Sequence, residues 1–100
     1  MPIAIIEASE LGQNLIVPLA EGQSIVTHVI ILTSPVAVAF KFQSNDTDLH
    51  PYMNLGANLP FTVALPVPAP LFATALGEDL NLNLSLPALV TGWLLYSFGA

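Results

Sequence analysis

A run of strict alternation, Leu80-Asn81-Leu82-Asn83-Leu84-Ser85-Leu86, puts four leucines on one side of an extended chain and small polar groups on the other. Successive side chains of a strand point to opposite faces, so a period of two marks a half-buried β-strand. Val36-Ala37-Val38-Ala39-Phe40-Lys41-Phe42-Gln43 repeats the pattern, and Phe61-Thr62-Val63-Ala64-Leu65 is a third case. Ser24 to Ser34 is largely β-branched and apolar on both faces, as a central strand is. Ile3 to Ala8 and Leu15 to Leu19 supply strands in the first half. Val90 to Phe98 closes the chain, with Val90, Leu94, Tyr96 and Phe98 in one phase and Trp93 and Leu95 in the other.

Turn signals separate these runs: Leu11-Gly12-Gln13-Asn14, Glu21-Gly22, Ser34-Pro35, Ser44-Asn45-Asp46, Gly56-Ala57-Asn58 and Gly77-Glu78-Asp79. Nine prolines and no capped period of 3.6 exclude long helices. At most, Leu71 to Leu76 forms one helical turn. The expected fold is all-β, a single domain over residues 1–100: an antiparallel β-sandwich or jelly roll of seven or eight short strands. Pro66, Pro68 and Pro70 alternate with Val67 and Ala69 and read as an extended edge segment, whose missing donors discourage stray strand pairing.

Composition bounds the partners. Fifty-four of the 100 residues are hydrophobic and eight are charged, whereas soluble domains average about 25% charged residues. A domain this small leaves much of its surface outside the core, so part of the apolar content has to face outward, where it marks contact sites. Seven carboxylates against Lys41 alone give a net charge of −6. That balance argues against nucleic acid, whose phosphates need several Lys or Arg, and against an anionic membrane surface. No apolar run reaches the roughly 20 residues of a membrane-spanning helix, and Met-Pro-Ile-Ala-Ile-Ile lacks the basic region of a signal peptide. With no cysteine, disulfides and thiolate chemistry are excluded.

Candidate chemistry is sparse. Asp46 and Asp48 put two carboxylates two residues apart in a turn; a hard cation takes oxygen ligands of this kind, but the pair lacks the further acids of a calcium loop, and a solvated hairpin tip is the simpler reading. His28, between Val26 and Ile30, reads as a hydrogen-bonded strand histidine, and His50 sits in a loop near Asp46 and Asp48. No serine stands in a nucleophile elbow and no zinc spacing occurs. The chain is therefore read as a non-enzyme, with neither catalytic residues nor metal ligands nor cofactor. Trp93, out of phase with Tyr96 and next to Gly92, faces outward and is suited to anchor a partner.

Three segments resemble a known group. Phe40-Lys41-Phe42-Gln43 with Asp46-Thr47-Asp48-Leu49, the stretch from Pro70 to Leu84, and Val90-Thr91-Gly92-Trp93-Leu94-Leu95-Tyr96 are similar to small β-sandwich virion proteins of tailed bacteriophages. The resemblance spans roughly residues 24–98. Where that group carries a glycine-aromatic pair ahead of Phe-x-Thr, this chain has Pro70 and Leu71. It implies a capsid decoration (cement) protein without catalytic residues, a homotrimer seated on the capsid exterior where subunits of the major capsid protein or another virion protein meet, and made in the host cytoplasm. Ile3, Ile5, Tyr52 and Trp93 are the expected interface residues, and the strand from Met1 to Ala8 is a candidate for exchange between subunits. The alternative is a tail or fibre component, or a receptor- or glycan-binding module, using Trp93, Tyr52 and the loop from Asn45 to His50.

Overall fold

The computed structural model describes residues 2–64 and 70–99. Their ten strands are β1 (Ile3–Ala8), β2 (Gly12–Val17), β3 (Ser24–Thr33), β4 (Val38–Ser44), β5 (Thr47–Asp48), β6 (Met53–Leu55), β7 (Phe61–Ala64), β8 (Phe72–Ala73), β9 (Leu80–Leu84) and β10 (Val90–Gly99), with no helix among the described residues. They form two antiparallel sheets. The first runs β1-β10-β3-β7, with β8 also on β3; the second runs β2-β9-β4-β5, with β6 also on β4. The all-β expectation holds. The chain crosses between sheets at six of its nine connections, so each sheet is assembled largely from strands far apart in sequence.

The period-two runs bury the faces that their leucines and aromatics define. Leu80, Leu82 and Leu84 of β9 and Phe40 and Phe42 of β4 are at most 1% exposed, and meet Ile6, Ile25, Leu32, Val90 and Leu94 from the first sheet. Leu86 breaks the run. Ser85 turns back to β4, its N–H donating to the Ala39 carbonyl (3.0 Å) and its Oγ accepting from the Ala39 N–H (3.0 Å), and Leu86 is left exposed.

Two local expectations are corrected. Gly12 to Asn14, expected as a turn, begins β2: Gly12 takes φ +86°, and the Asn14 amide holds the preceding bend by donating to the Glu10 and Gly12 carbonyls at 3.0 and 3.1 Å. Residues 71–76 make no helical turn. The β3 edge offers this stretch backbone partners, so the Leu71 N–H donates to the Thr27 carbonyl (2.8 Å) and the Thr74 N–H to that of Ile25 (3.0 Å), with β8 between them. Of the alternating prolines, Pro66 and Pro68 lie outside the described residues, as do Met1 and Leu65, while Pro70 is exposed.

Candidate association surfaces

The register of the first sheet decides which side chains gather on its exterior. Ile6, Leu94, Ile30 and Leu32 point into the core, so the intervening residues point out. Ile3 pairs with Leu95, Leu95 with Val29 and Val29 with Ala64; one step along, Ile5 pairs with Trp93, Trp93 with Ile31 and Ile31 with Thr62. Two rows thus cross the sheet, aliphatic and aromatic except for Thr62 at the far edge of the second. Ile3 and Ile5 on edge strand β1 are 58% and 68% exposed, while Trp93, Leu95, Val29 and Ile31 are half-buried by their neighbours. The next row is Glu7, Thr91 and Thr33, and Glu7 is the only charged side chain among the described residues of this face.

Gly92 makes the close strand contact behind Trp93 possible. It takes φ +153°, and a Cβ there would overlap the Ile31 carbonyl. Only glycine fits the backbone conformation and the approach together. On β3, His28 is an extra residue between the pairs Thr27–Tyr96 and Val29–Leu95, a bulge that turns its ring toward β10, where Nε2 lies 2.9 Å from the Ser97 Oγ. His28 is 9% exposed and its Nδ1 has no partner among the described residues.

A second apolar surface comes from topology. Because the strands alternate between sheets, the connections β1–β2, β3–β4, β6–β7 and β9–β10 all fall at one end of the sandwich. They carry Leu11, Val36, Leu59, Leu86 and Leu89, each about half or more exposed, and Glu10 is their only charged residue. The opposite end holds Glu21, Asp46, Glu78 and Asp79. There the acids also fasten loops: the Asp79 carboxylate accepts the Leu19 N–H (2.7 Å), and Glu78 accepts the Ser44 hydroxyl (2.5 Å).

The exterior of the second sheet is mostly polar and internally bonded, with Leu15 of β2, 59% exposed, as its apolar exception. Gln13 donates to the Gln43 Oε1 (2.9 Å) and the Asp46 Oδ1 (3.0 Å), and Asn83 donates to the same Gln43 oxygen (3.2 Å). Asp48 accepts from Gln43 (2.7 Å) and from the Lys41 ammonium (3.0 Å). These two contacts, the Gln43 amide first, hold its carboxyl below the usual carboxylate range. Tyr52 donates to the Asn83 Oδ1 (2.9 Å), and Lys41 Nζ stands 4.4 Å from the centre of its ring. His50, the other loop candidate, turns inward among Phe40, Phe42 and Phe72.

The four expected interface residues therefore divide. Ile3, Ile5 and Trp93 share the first sheet's exterior, and Tyr52 belongs to the polar face of the other sheet. Val29, Ile31 and Leu95, which complete the apolar face, escaped the sequence-level selection. The signal was present in the two-sided apolarity of β3. Asp46 and Asp48 are occupied by separate amide partners, and among the described residues no three His, Asp or Glu side chains gather where a metal could be held. Comparison of the chain with family models, curated proteins and solved structures returns no significant match.

Proposed function

We propose that the chain is a structural assembly subunit of the phage decoration (cement) type, joined to copies of itself, as a trimer, through the exterior of the first sheet and to a capsid protein through its apolar end. One observation carries the proposal: two surfaces are rich in exposed aliphatic side chains and carry one acid each, Glu7 and Glu10, while the other five acids and Lys41 lie on the other end and the other sheet. The apolar surplus is not a symptom of loose folding. The accessible surface, 5235 Å², is close to the roughly 5,500 Å² expected for a folded chain of this mass. Chains carrying six net negative charges repel one another, so association requires a contact face from which charge is absent. The first sheet's exterior meets that requirement, with Glu7 at its margin.

The strand order supports a jelly roll. With β5 and β6 counted as one strand and β7 and β8 as another, eight strands pair first with last, second with seventh, third with sixth and fourth with fifth, as in a long hairpin rolled on itself. Jelly rolls are common in viral capsid and lectin domains, which is an analogy of fold and lends weight without deciding function. An interface of standard size, about 1,600 Å² and about 60% apolar, gains on the order of 25 kcal/mol before ordering and association costs.

The test is co-sedimentation of the purified chain with heads of its phage that lack it. Saturable binding that raises the temperature at which the heads open is expected. Binding that never saturates, or heads no more heat-resistant with the chain than without it, would overturn the assignment.

A further inference from the structure

Between the sheets, on the flank bounded by β7 and β6, lies an open hollow of about 230 Å³ whose walls include Phe40, His50, Met53, Phe61, Val63 and Phe72. Among the described residues its only side chain with strong hydrogen-bonding atoms is His50, and both ring nitrogens are engaged elsewhere. Nε2 accepts the Phe42 N–H at 3.0 Å, and Nδ1 lies 2.7 Å from the Pro51 carbonyl, an acceptor, so the proton of the neutral ring sits on Nδ1. The histidine thus presents a ring to the hollow and withholds its polar atoms. A water molecule needs two to four polar partners to settle in such a space, and the described walls are mostly apolar, with no polar side chain beyond the engaged His50 and the weak thioether of Met53.

From this geometry we infer a binding site for a small, uncharged aromatic molecule of one or two fused rings. An engineered apolar cavity of about 150 Å³ stays dry and takes benzene, and the present hollow is about half as large again and open to solvent. Its walls suit a flat ring. Phe40 and Phe61 meet edge to face at 5.1 Å between centroids, and His50 and Phe72 lie 5.8 Å apart, an arrangement that offers both ring edges and ring faces to a guest. Met53, 43% exposed on the short strand β6, can lay its sulfur against an aromatic edge. The site belongs to neither association surface and does not depend on the virion assignment.

The test is a titration of the isotope-labelled chain with indole, followed by NMR. Saturable shifts of the Met53, Val63 and Ile30 methyl groups and of the His50 ring are expected, with a dissociation constant on the order of 1 mM or tighter. Benzylamine, a cation of similar size, tests the rival explanation of attraction to a negatively charged protein, and is expected to bind these walls at least about tenfold more weakly because its charge would lose water there. Val63→Phe fills the hollow from an edge strand and is expected to weaken indole at least about tenfold while leaving the amide spectrum dispersed. If that variant does not fold, Met53→Trp fills the same space from β6. Shifts confined to Trp93, Ile31 and Ile5, no saturation up to the solubility of indole, benzylamine binding as tightly as indole, or unchanged affinity in a folded filled variant would each overturn the site.

Discussion

At the scale of single residues, two positions make sharp predictions. Gly92 combines a φ of +153° with a Cβ position already occupied by the Ile31 carbonyl. Gly92→Ala therefore forces β10 away from β3 and is expected to cost about 3 kcal/mol or more, read as a shift of the urea midpoint. A loss under about 1 kcal/mol would contradict the close strand approach. Asp48 has a carboxyl pKa lowered in the fold by Gln43 and then Lys41. Between its folded value and its unfolded value near 4, the unfolded chain binds a proton that the folded chain does not. Its contribution is complete above the unfolded value and is lost as pH falls through the folded one. Asp48→Asn is expected to flatten that part of the acid limb in urea midpoints measured from pH 5 to 2; an acid limb as steep as the parent's would contradict it. Neither residue's environment was legible beforehand. Gly92 stands in an apolar run with nothing local to mark the strand crossing behind it, and Asp48 meets Gln43 only once the hairpin closes.

At the scale of elements, alternation was the most readable feature because burial of one sheet face imposes it directly. β4 and β9 follow their sequence phase closely, Phe98 near the end of β10 is 44% exposed although it shares the phase of Val90 and Leu94, and Leu86 departs where Ser85 bonds to Ala39. β8 was unreadable, since two residues carry no period and owe their conformation to the free β3 edge. The apolar exterior of the first sheet was half readable: Trp93 announced itself by phase, whereas Val29 and Ile31 passed for core residues of a doubly covered strand. That exterior yields a prediction belonging to β1. Ile5 is 68% exposed and lies at a sheet edge, so Ile5→Lys is expected to change the stability of one subunit by no more than about 0.5 kcal/mol. Against a sibling's apolar face the same lysine would be buried without a partner, and self-association is expected to weaken at least about tenfold. Sedimentation at graded concentrations reads the difference, and equal association by the variant and the parent would exclude this face.

At the scale of the whole molecule, charge is sorted by end and by sheet, although Leu15, Leu19 and Leu76 are exposed on the charged side as well. No window of the sequence displays this, because Leu11, Val36, Leu59, Leu86 and Leu89 come from four separate connections and meet only through the alternation of strands between sheets. The sorting gives the sandwich two surfaces poor in charge and suited to permanent cover. It also predicts poor tolerance of charge at the apolar end wherever the assembled state is assayed. Leu59→Asp together with Leu89→Asp is expected to leave the fold and self-association intact while abolishing saturable binding to phage heads. Retention of that binding would remove the apolar end from the contact. The most direct measurement is the mass in solution, by light scattering on the eluting protein at micromolar concentration. A stable multiple of the 10.6 kDa chain, three by the present account, is predicted. A single 10.6 kDa species that persists as concentration rises would contradict it.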